Sequence, residues 1–459
     1  MKQMILRELL ASTPVFEIVG RRRIDIKGIA LRPEDVKEGY LYIYSESVDE
    51  SGLSYEEAIH KAIANGAIAI VIGSDDKITD SSVTFVRTYH YRRFLSAASR
   101  NFYHNPSQSM SLVGITGSHG KTTVGWMIKS ILDVAEIPGV MLGADYYQVG
   151  HDSWHPYPGG MNPLNMNEFL YKAVKKGVHW GIIECNYTGI VEDQFSHVWF
   201  NSIIYTDLYT YFRNQKADHH YFEMRKTLID HLKTTQSPVI INVDDFYAFH
   251  LQQRTGSVGY GIFNNADVTA RELELFEDSS QFILVTPKGE REIKLNIPGI
   301  HNVYNALAAV AWSLAEGLNV NDVVRGIEEF KGMPGGEEKI NLTDSIRVKD
   351  ILDTDLEDIE KVFNKLKNDK KGGIVTILCM DDSKDVGKYK RLGKIIGQCE
   401  GHCIVVHDYF CTSNMAEAKT AVTKELENVI IYNKTDYYKA IQKAVTFLPQ
   451  GGHILLVRG

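Results

Sequence analysis

The stretch Gly114-Ile115-Thr116-Gly117-Ser118-His119-Gly120-Lys121-Thr122-Thr123 decides how this chain is read. It follows an apolar run, 111–115, and opens a segment in which Val124, Met127, Ile128, Ile131 and Leu132 recur at helical spacing. A glycine-rich turn between a strand and a helix lets backbone N–H groups face phosphate oxygens, and the helix dipole favours the negative charge. Lys121 is placed to reach the β- and γ-phosphates, and the Thr122 hydroxyl to ligate Mg²⁺. The commoner Walker spacing needs glycine where this chain has Ile115; the shorter Gly-x-x-Gly-Lys-Thr-Thr form is present. The alternative is a helix cap with incidental glycines. ATP binding is the expectation, with Thr116, Gly117, Ser118, His119, Gly120, Lys121, Thr122 and Thr123 as the cradle.

Outward from the loop, residues 111–332 alternate strand and helix, which predicts a doubly wound, mostly parallel sheet covered on both faces. Strands are expected over 179–185, 197–208 and 239–243, an antiparallel annex of short strands over 256–297, and an alanine-rich helix over 302–316. Residues 1–110 predict a small N-terminal α/β domain, with strands over 40–44 and 67–72 around a helix over 55–64. Asn105-Pro106-Ser107 closes its next helix, and Gly332-Met333-Pro334-Gly335-Gly336 reads as a linker. Beyond it, apolar runs at 374–378, 403–406 and 453–457 predict a Rossmann-like C-terminal α/β domain over 333–459. The fold class is therefore α/β in three domains: 1–110, 111–332 and 333–459.

The 459 residues carry 50 Lys plus Arg against 58 Asp plus Glu, a net charge of −8 that argues against a nucleic-acid face over the whole molecule. With 44% hydrophobic and 24% charged residues, wholesale disorder is excluded. No apolar run of about 18 residues predicts a membrane span, and the first residues do not read as a signal peptide. Five cysteines, Cys185, Cys379, Cys399, Cys403 and Cys411, are thinly spread. Cys399 and Cys403 are read as reduced thiols rather than a zinc pair.

The motifs resemble those of the Mur ligases, ATP-dependent amide-forming enzymes of cell-wall peptide synthesis, and are most similar to the UDP-N-acetylmuramoyl-tripeptide synthetase type. The family's Thr-Gly-x-x-Gly-Lys-Thr-Thr is matched by Thr116 to Thr123. Val36-Lys37-Glu38-Gly39-Tyr40-Leu41-Tyr42 resembles its Val-x-Pro-Gly-x-Leu-Phe segment, and residues 58–71, Asn242-Val243-Asp244-Asp245 and Gly299-Ile300-His301-Asn302-Val303-Tyr304-Asn305-Ala306 follow in the family's order. The resemblance implies a two-step reaction: ATP phosphorylates a carboxylate, and an amine attacks the acyl phosphate. It implies Lys121, Glu184 and Lys226 as catalytic residues, and Thr122, Glu184 and Lys226 as metal ligands. Lys226 would be an N6-carboxylysine, its ammonium converted to an anionic oxygen donor for Mg²⁺. Asn302 and Asn305 match asparagines near the nucleotide pocket. An exposed strand-end acid (Glu184), a solvated lysine beside Arg225 (Lys226) and a helix N-cap (Asn302) are the alternatives. Expected partners are small-molecule carboxylate and amine substrates, an amino acid or peptide precursor, handled by a monomer in the cytoplasm without nucleic acid or a membrane span.

Departures bound the substrate. The family's Asp-Ser-Arg is replaced by Arg32-Pro33-Glu34, its Thr-Thr-Pro by Met161-Asn162-Pro163, and its Ser-Ser-His by Asn186-Tyr187-Thr188. These changes fall where the UDP-sugar peptide would sit, so a divergent carboxylate is expected. A metal-binding histidine aligns with Phe212, leaving His219 and His220 nearby. In the last domain, Gly335-Gly336-Glu337-Glu338, Asp350-Ile351-Leu352-Asp353 and the Asp381 to Arg391 stretch keep little of the family pattern. Two other readings stay open: a nucleotide-binding regulatory subunit that has lost ligation, and a folylpolyglutamate-synthetase-like ligase.

Overall fold

The computed structural model describes residues 3–44, 53–78, 80–143, 146–148, 154–156, 160–206, 215–245, 251, 256–262, 264–275, 279–332, 347–351, 356, 359–361, 374–380, 386–397, 401–407, 420, 429–433, 447 and 453–458. The chain divides into two compact units, Met1–Lys331 and Gly332–Gly459.

The first unit begins with a five-stranded sheet in the order Val15–Val19, Thr84–Thr88, Ala67–Gly73, Tyr40–Ile43, Gly28–Ala30. Its strands have two buried faces because successive side chains alternate. Leu41, Ile43, Ala69, Val71 and Val86 pack with Phe94, Leu95 and Ala98 of the helix Tyr91–Phe102. Tyr42, Ile70, Ile72 and Phe85 pack with Ala58, Ile59 and Ala62 of the helix Tyr55–Ala64. That helix starts at a capping box in which Ser54 and Glu57 satisfy each other's backbone N–H.

An eleven-stranded sheet follows. Its centre runs Gly139–Leu142, Trp180–Glu184, Ser111–Thr116, Ser202–Tyr205, Val239–Asn242, Ser257–Gly261 and Val268–Leu275, all parallel. Antiparallel strands extend both edges. Parallel strands buried on both faces need continuous apolar runs, and Ile182, Ile183, Val113, Ile115, Ile203 and Ile204 are all fully buried. The chain leaves Ser111–Thr116 to one side, builds Gly139–Leu142 and Trp180–Glu184 there, then crosses to place Ser202–Tyr205 on the other side. Such a switch opens a crevice beyond the strands' C-terminal ends. The helix Lys121–Val134 covers this sheet and packs on Ile300–Ala315 and Val320–Glu329.

The second unit is a parallel five-stranded sheet, Arg347–Ile351, His453–Arg458, Ile374–Met380, Gly401–His407, Val429–Asn433, with the helix Val386–Gly397.

Several expectations shift. Of the strand expected over 197–208, only Ser202–Tyr205 is a strand among the described residues, because residues 192–197 turn at the end of a short helix, with Asp193 at φ 56°; residues 207–208 lie outside the described residues. The expected antiparallel annex opens with two parallel strands, Ser257–Gly261 and the start of Val268–Leu275, and turns antiparallel only after them. The segment that carries Lys226 is helical over Gln215–Lys226 and tightens to a 3₁₀ turn, Thr227–His231. Strands Arg347–Ile351 and Val429–Asn433 were not anticipated. Phe212, Gly335 to Glu338, Leu352, Asp353, Asp381 to Asp385 and Cys399 lie outside the described residues.

Candidate active site

The loop Gly117 to Gly120 joins the C-terminal end of Ser111–Thr116 to the N-terminus of Lys121–Val134, at the switch crevice. Gly120 holds φ 78°, a left-handed turn that admits glycine without strain. A Cβ at this position would collide with Asn305 Oδ1. Lys121 Nζ donates to Gly117 O at 2.9 Å and to Ser118 O at 3.1 Å, so its ammonium lies over the loop. Thr116 is fully buried, and its Oγ1 has no hydrogen-bond partner among the described residues. A glycine cradle, an inward ammonium and an unsatisfied hydroxyl together fit a polyphosphate.

Neighbouring strands bring the rest. Glu184 pairs in register with Ile115 and is only 4% exposed, so it is a buried carboxylate beside the loop and not the exposed strand-end acid of the alternative. Tyr205 pairs with Thr116, and the next residue, Thr206, donates from N to Thr116 O at 2.9 Å and from Oγ1 to His119 O at 2.5 Å. Thr206 therefore closes the far side of the loop, a role that its place in the sequence did not signal. Thr122 lies in the first turn of the loop helix. A hydroxyl and one carboxylate are the hard oxygen donors that Mg²⁺ takes from protein when substrate phosphates complete its shell. Among the described residues no cluster of three His, Cys, Asp or Glu forms a self-contained metal site.

The motif segments 242–245 and 299–306 meet in space. Tyr304 Oη donates to Asp244 Oδ2 at 2.7 Å, while Asn264 N donates to Asp244 Oδ1 and Ile262 N to Oδ2. Asn305 Nδ2 donates to Asn302 Oδ1 at 3.2 Å, and Asn302 Nδ2 to Pro298 O at 2.8 Å. Asn302 is not the helix N-cap, which is Gly299; it ties the first turn back to the preceding loop. Asn305, a turn deeper, faces Gly120.

Lys226 is half-exposed, with its Nζ 3.7 Å from Glu223 and 5.7 Å from the Phe222 ring centroid. Its neighbour Arg225 is 3% exposed, and Arg225 Nη2 donates to Ser118 Oγ at 3.0 Å. His220 is exposed, its ring 6.5 Å from that of Tyr187. Cys185 lies under Gly114 with its thiol pushed well above the usual range, first by burial and then by the Glu184 carboxylate.

Three departures have local roles. Asn162 caps the helix Pro163–Lys175 in a box with Asn165. Asn186 accepts from Gly189 N and caps the helix Tyr187–Val191. Arg32 Nε bonds Asp35 Oδ2 at 2.8 Å across the 3₁₀ turn Pro33–Asp35.

Residues 115–313 match the Mur ligase middle domain. Over 99% of this chain and 92% of the relative, the sequence is 27% identical to a UDP-N-acetylmuramoyl-L-alanyl-D-glutamate--2,6-diaminopimelate ligase of Alkaliphilus metalliredigens. It is 23% identical to UDP-N-acetylmuramyl-tripeptide synthetase 2 of Oceanobacillus iheyensis, over 98% of this chain and 92% of that one. The fold matches the solved UDP-N-acetylmuramoylalanyl-D-glutamyl-2,6-diaminopimelate--D-alanyl-D-alanyl ligase of Acinetobacter baumannii at a TM-score of 0.63, covering 100% and 96% of the two chains at 19% identity. A MurF ligase of Thermotoga maritima solved with ADP matches at a TM-score of 0.56, covering 94% and 93% at 15% identity. Residues 115–313 thus match a Mur ligase middle domain, with the glycine loop at the switch point of its parallel sheet, and along nearly its whole length the chain is similar to Mur ligases.

Proposed function

We propose that the chain joins a carboxylate to an amine at the expense of ATP, acting on a nucleotide-sugar peptide of the kind named for its relatives or on a divergent acid of similar shape. The observation that carries this reading is that the sheet register sets the buried Glu184 beside the strand that feeds a glycine cradle with an inward lysine. A γ-phosphate and a carboxylate repel each other, so their approach needs cations held in place beforehand.

In this reading the loop amides and Lys121 hold the phosphates, and Lys121 moves from its resting carbonyl partners onto the β- and γ-oxygens. Thr122 and Glu184 would hold Mg²⁺, which supplies positive charge to the transferring phosphoryl oxygens. Asn305 and Gly120 fix the helix entry so that the first-turn amides keep their aim. The carboxylate becomes an acyl phosphate, and the amine displaces phosphate to form the amide. Lys226 as an N6-carboxylysine remains a proposed metal ligand; its half-exposed side chain is accessible to CO₂, which the neutral amine would add with loss of a proton, and intact-mass measurement in bicarbonate tests it.

The test is ADP release with Mg²⁺, ATP, UDP-N-acetylmuramoyl-L-alanyl-D-glutamate and a panel of amino acids, 2,6-diaminopimelate included. Amine-dependent ADP release that disappears in Lys121→Ala and falls at least about a hundredfold in Glu184→Gln supports the reading. Nucleotide binding without turnover on any pair would favour the regulatory alternative.

A further inference from the structure

The helix Gln215–Lys226 ends in two cations with different surroundings. Lys226 is half-exposed beside Glu223, whereas Arg225 is buried against the phosphate loop. Several contacts hold Arg225 there. Its guanidinium lies 5.9 Å over the Tyr221 ring, and Tyr221 stacks on Tyr187 at 3.9 Å and 33°. Its carbonyl accepts from Tyr205 Oη at 3.0 Å, and Tyr205 pairs with Thr116 in the sheet that carries the loop. Tyr187 belongs to one of the segments that depart from the family pattern, so the departure supports the arginine.

Two cations thus converge on a single loop residue. Lys121 Nζ sits on Ser118 O at 3.1 Å, and Arg225 Nη2 on Ser118 Oγ at 3.0 Å. A guanidinium stays charged at every working pH and cannot be silenced by burial as a lysine can. Positive charges gathered at one point favour the most highly charged anion that can reach it, and ATP differs from ADP by its terminal phosphate.

We propose that Arg225 is a positioning residue for that terminal phosphate: through Ser118 and through its fixed charge it makes the loop prefer ATP over ADP. This rests on the reading of the loop as the ATP site. An opposite charge roughly 7 Å away at an effective dielectric of about 20 changes affinity by about ten- to a hundredfold.

The experiment is isothermal titration of the full chain with MgATP and, separately, with MgADP. In Arg225→Gln, MgATP binding should weaken at least about tenfold while MgADP changes less than about threefold. Arg225→Lys should keep part of the preference, and millimolar guanidinium should restore part of it to Arg225→Ala. Equal loss for both nucleotides, or an unchanged ratio, would overturn the proposal. If Arg225→Gln does not fold, Ser118→Ala decides: a reduced ATP-to-ADP ratio supports the proposal and an unchanged ratio overturns it. A wild-type chain that binds neither nucleotide would instead overturn the ATP-site reading itself.

Discussion

Tyr304 donates its phenol to Asp244 Oδ2 at 2.7 Å, bridging two segments sixty residues apart in the chain. Asp244 follows the strand Val239–Asn242, and Tyr304 lies in the first turns of the helix Ile300–Ala315. The bond therefore pins to the sheet the helix that carries Asn305 against Gly120.

Burial first, and then the bond to Asp244, raises the Tyr304 phenol well above its ordinary value of about 10. The neutral phenol is favoured in the folded state, so its contribution is complete below pH of about 10 and is lost as pH rises through the raised value. Tyr304→Phe should cost about 1.5–3 kcal/mol at neutral pH and flatten the alkaline loss of stability. Urea denaturation from pH 8 to 11 checks this; equal slopes in both proteins would contradict it.

Gly120→Ala should weaken nucleotide binding in a protein that still folds. Alanine in a left-handed turn costs about 1–2 kcal/mol, and its Cβ would also displace Asn305. Titration calorimetry should show at least about a tenfold loss of MgATP affinity with little change in circular dichroism. Near-normal affinity would mean that the loop is not held in this conformation when it works.

His197 is pushed down to about 4, first by burial and then by Arg100 and His231, with Asp193 opposing. Folding favours the neutral ring, so its contribution is present above pH of about 6.5 and is lost as pH falls from there through 4. His197→Gln should lose less stability across that window than the wild type. Thermal melts at pH 7, 6, 5 and 4 provide the comparison.

Cys185 is fully buried and its thiol is pushed far above the usual range, so it should resist thiol reagents in the native protein. Dithiobis(nitrobenzoate) should label it only in denaturant. Rapid native labelling mapped to Cys185 by peptide mass would show that the strand end opens.

The glycine turn between Ser111–Thr116 and Lys121–Val134 was legible because it is a local device: its glycines, Lys121 and Thr122 are adjacent in sequence, and the turn sets their geometry. The strands around it were legible as apolar runs, since a doubly covered parallel sheet tolerates little else. Strand limits were less visible near 197–208, where Phe195, Val198 and Phe200 are buried without belonging to a regular strand. Apolar side chains report burial, and a turn beneath a core needs them as much as a strand does.

Sequence alone determined the α/β alternation, the glycine turn that opens the helix Lys121–Val134 and the resemblance to Mur ligases, because each rests on residue types at short fixed spacings. Only the tertiary structure decided that Thr206 closes the loop, that Asn302 ties down a helix start and that Arg225, not its neighbour, touches Ser118. Adjacent residues on a helix point about 100° apart, so which of two cations is buried depends on the surface that the helix meets.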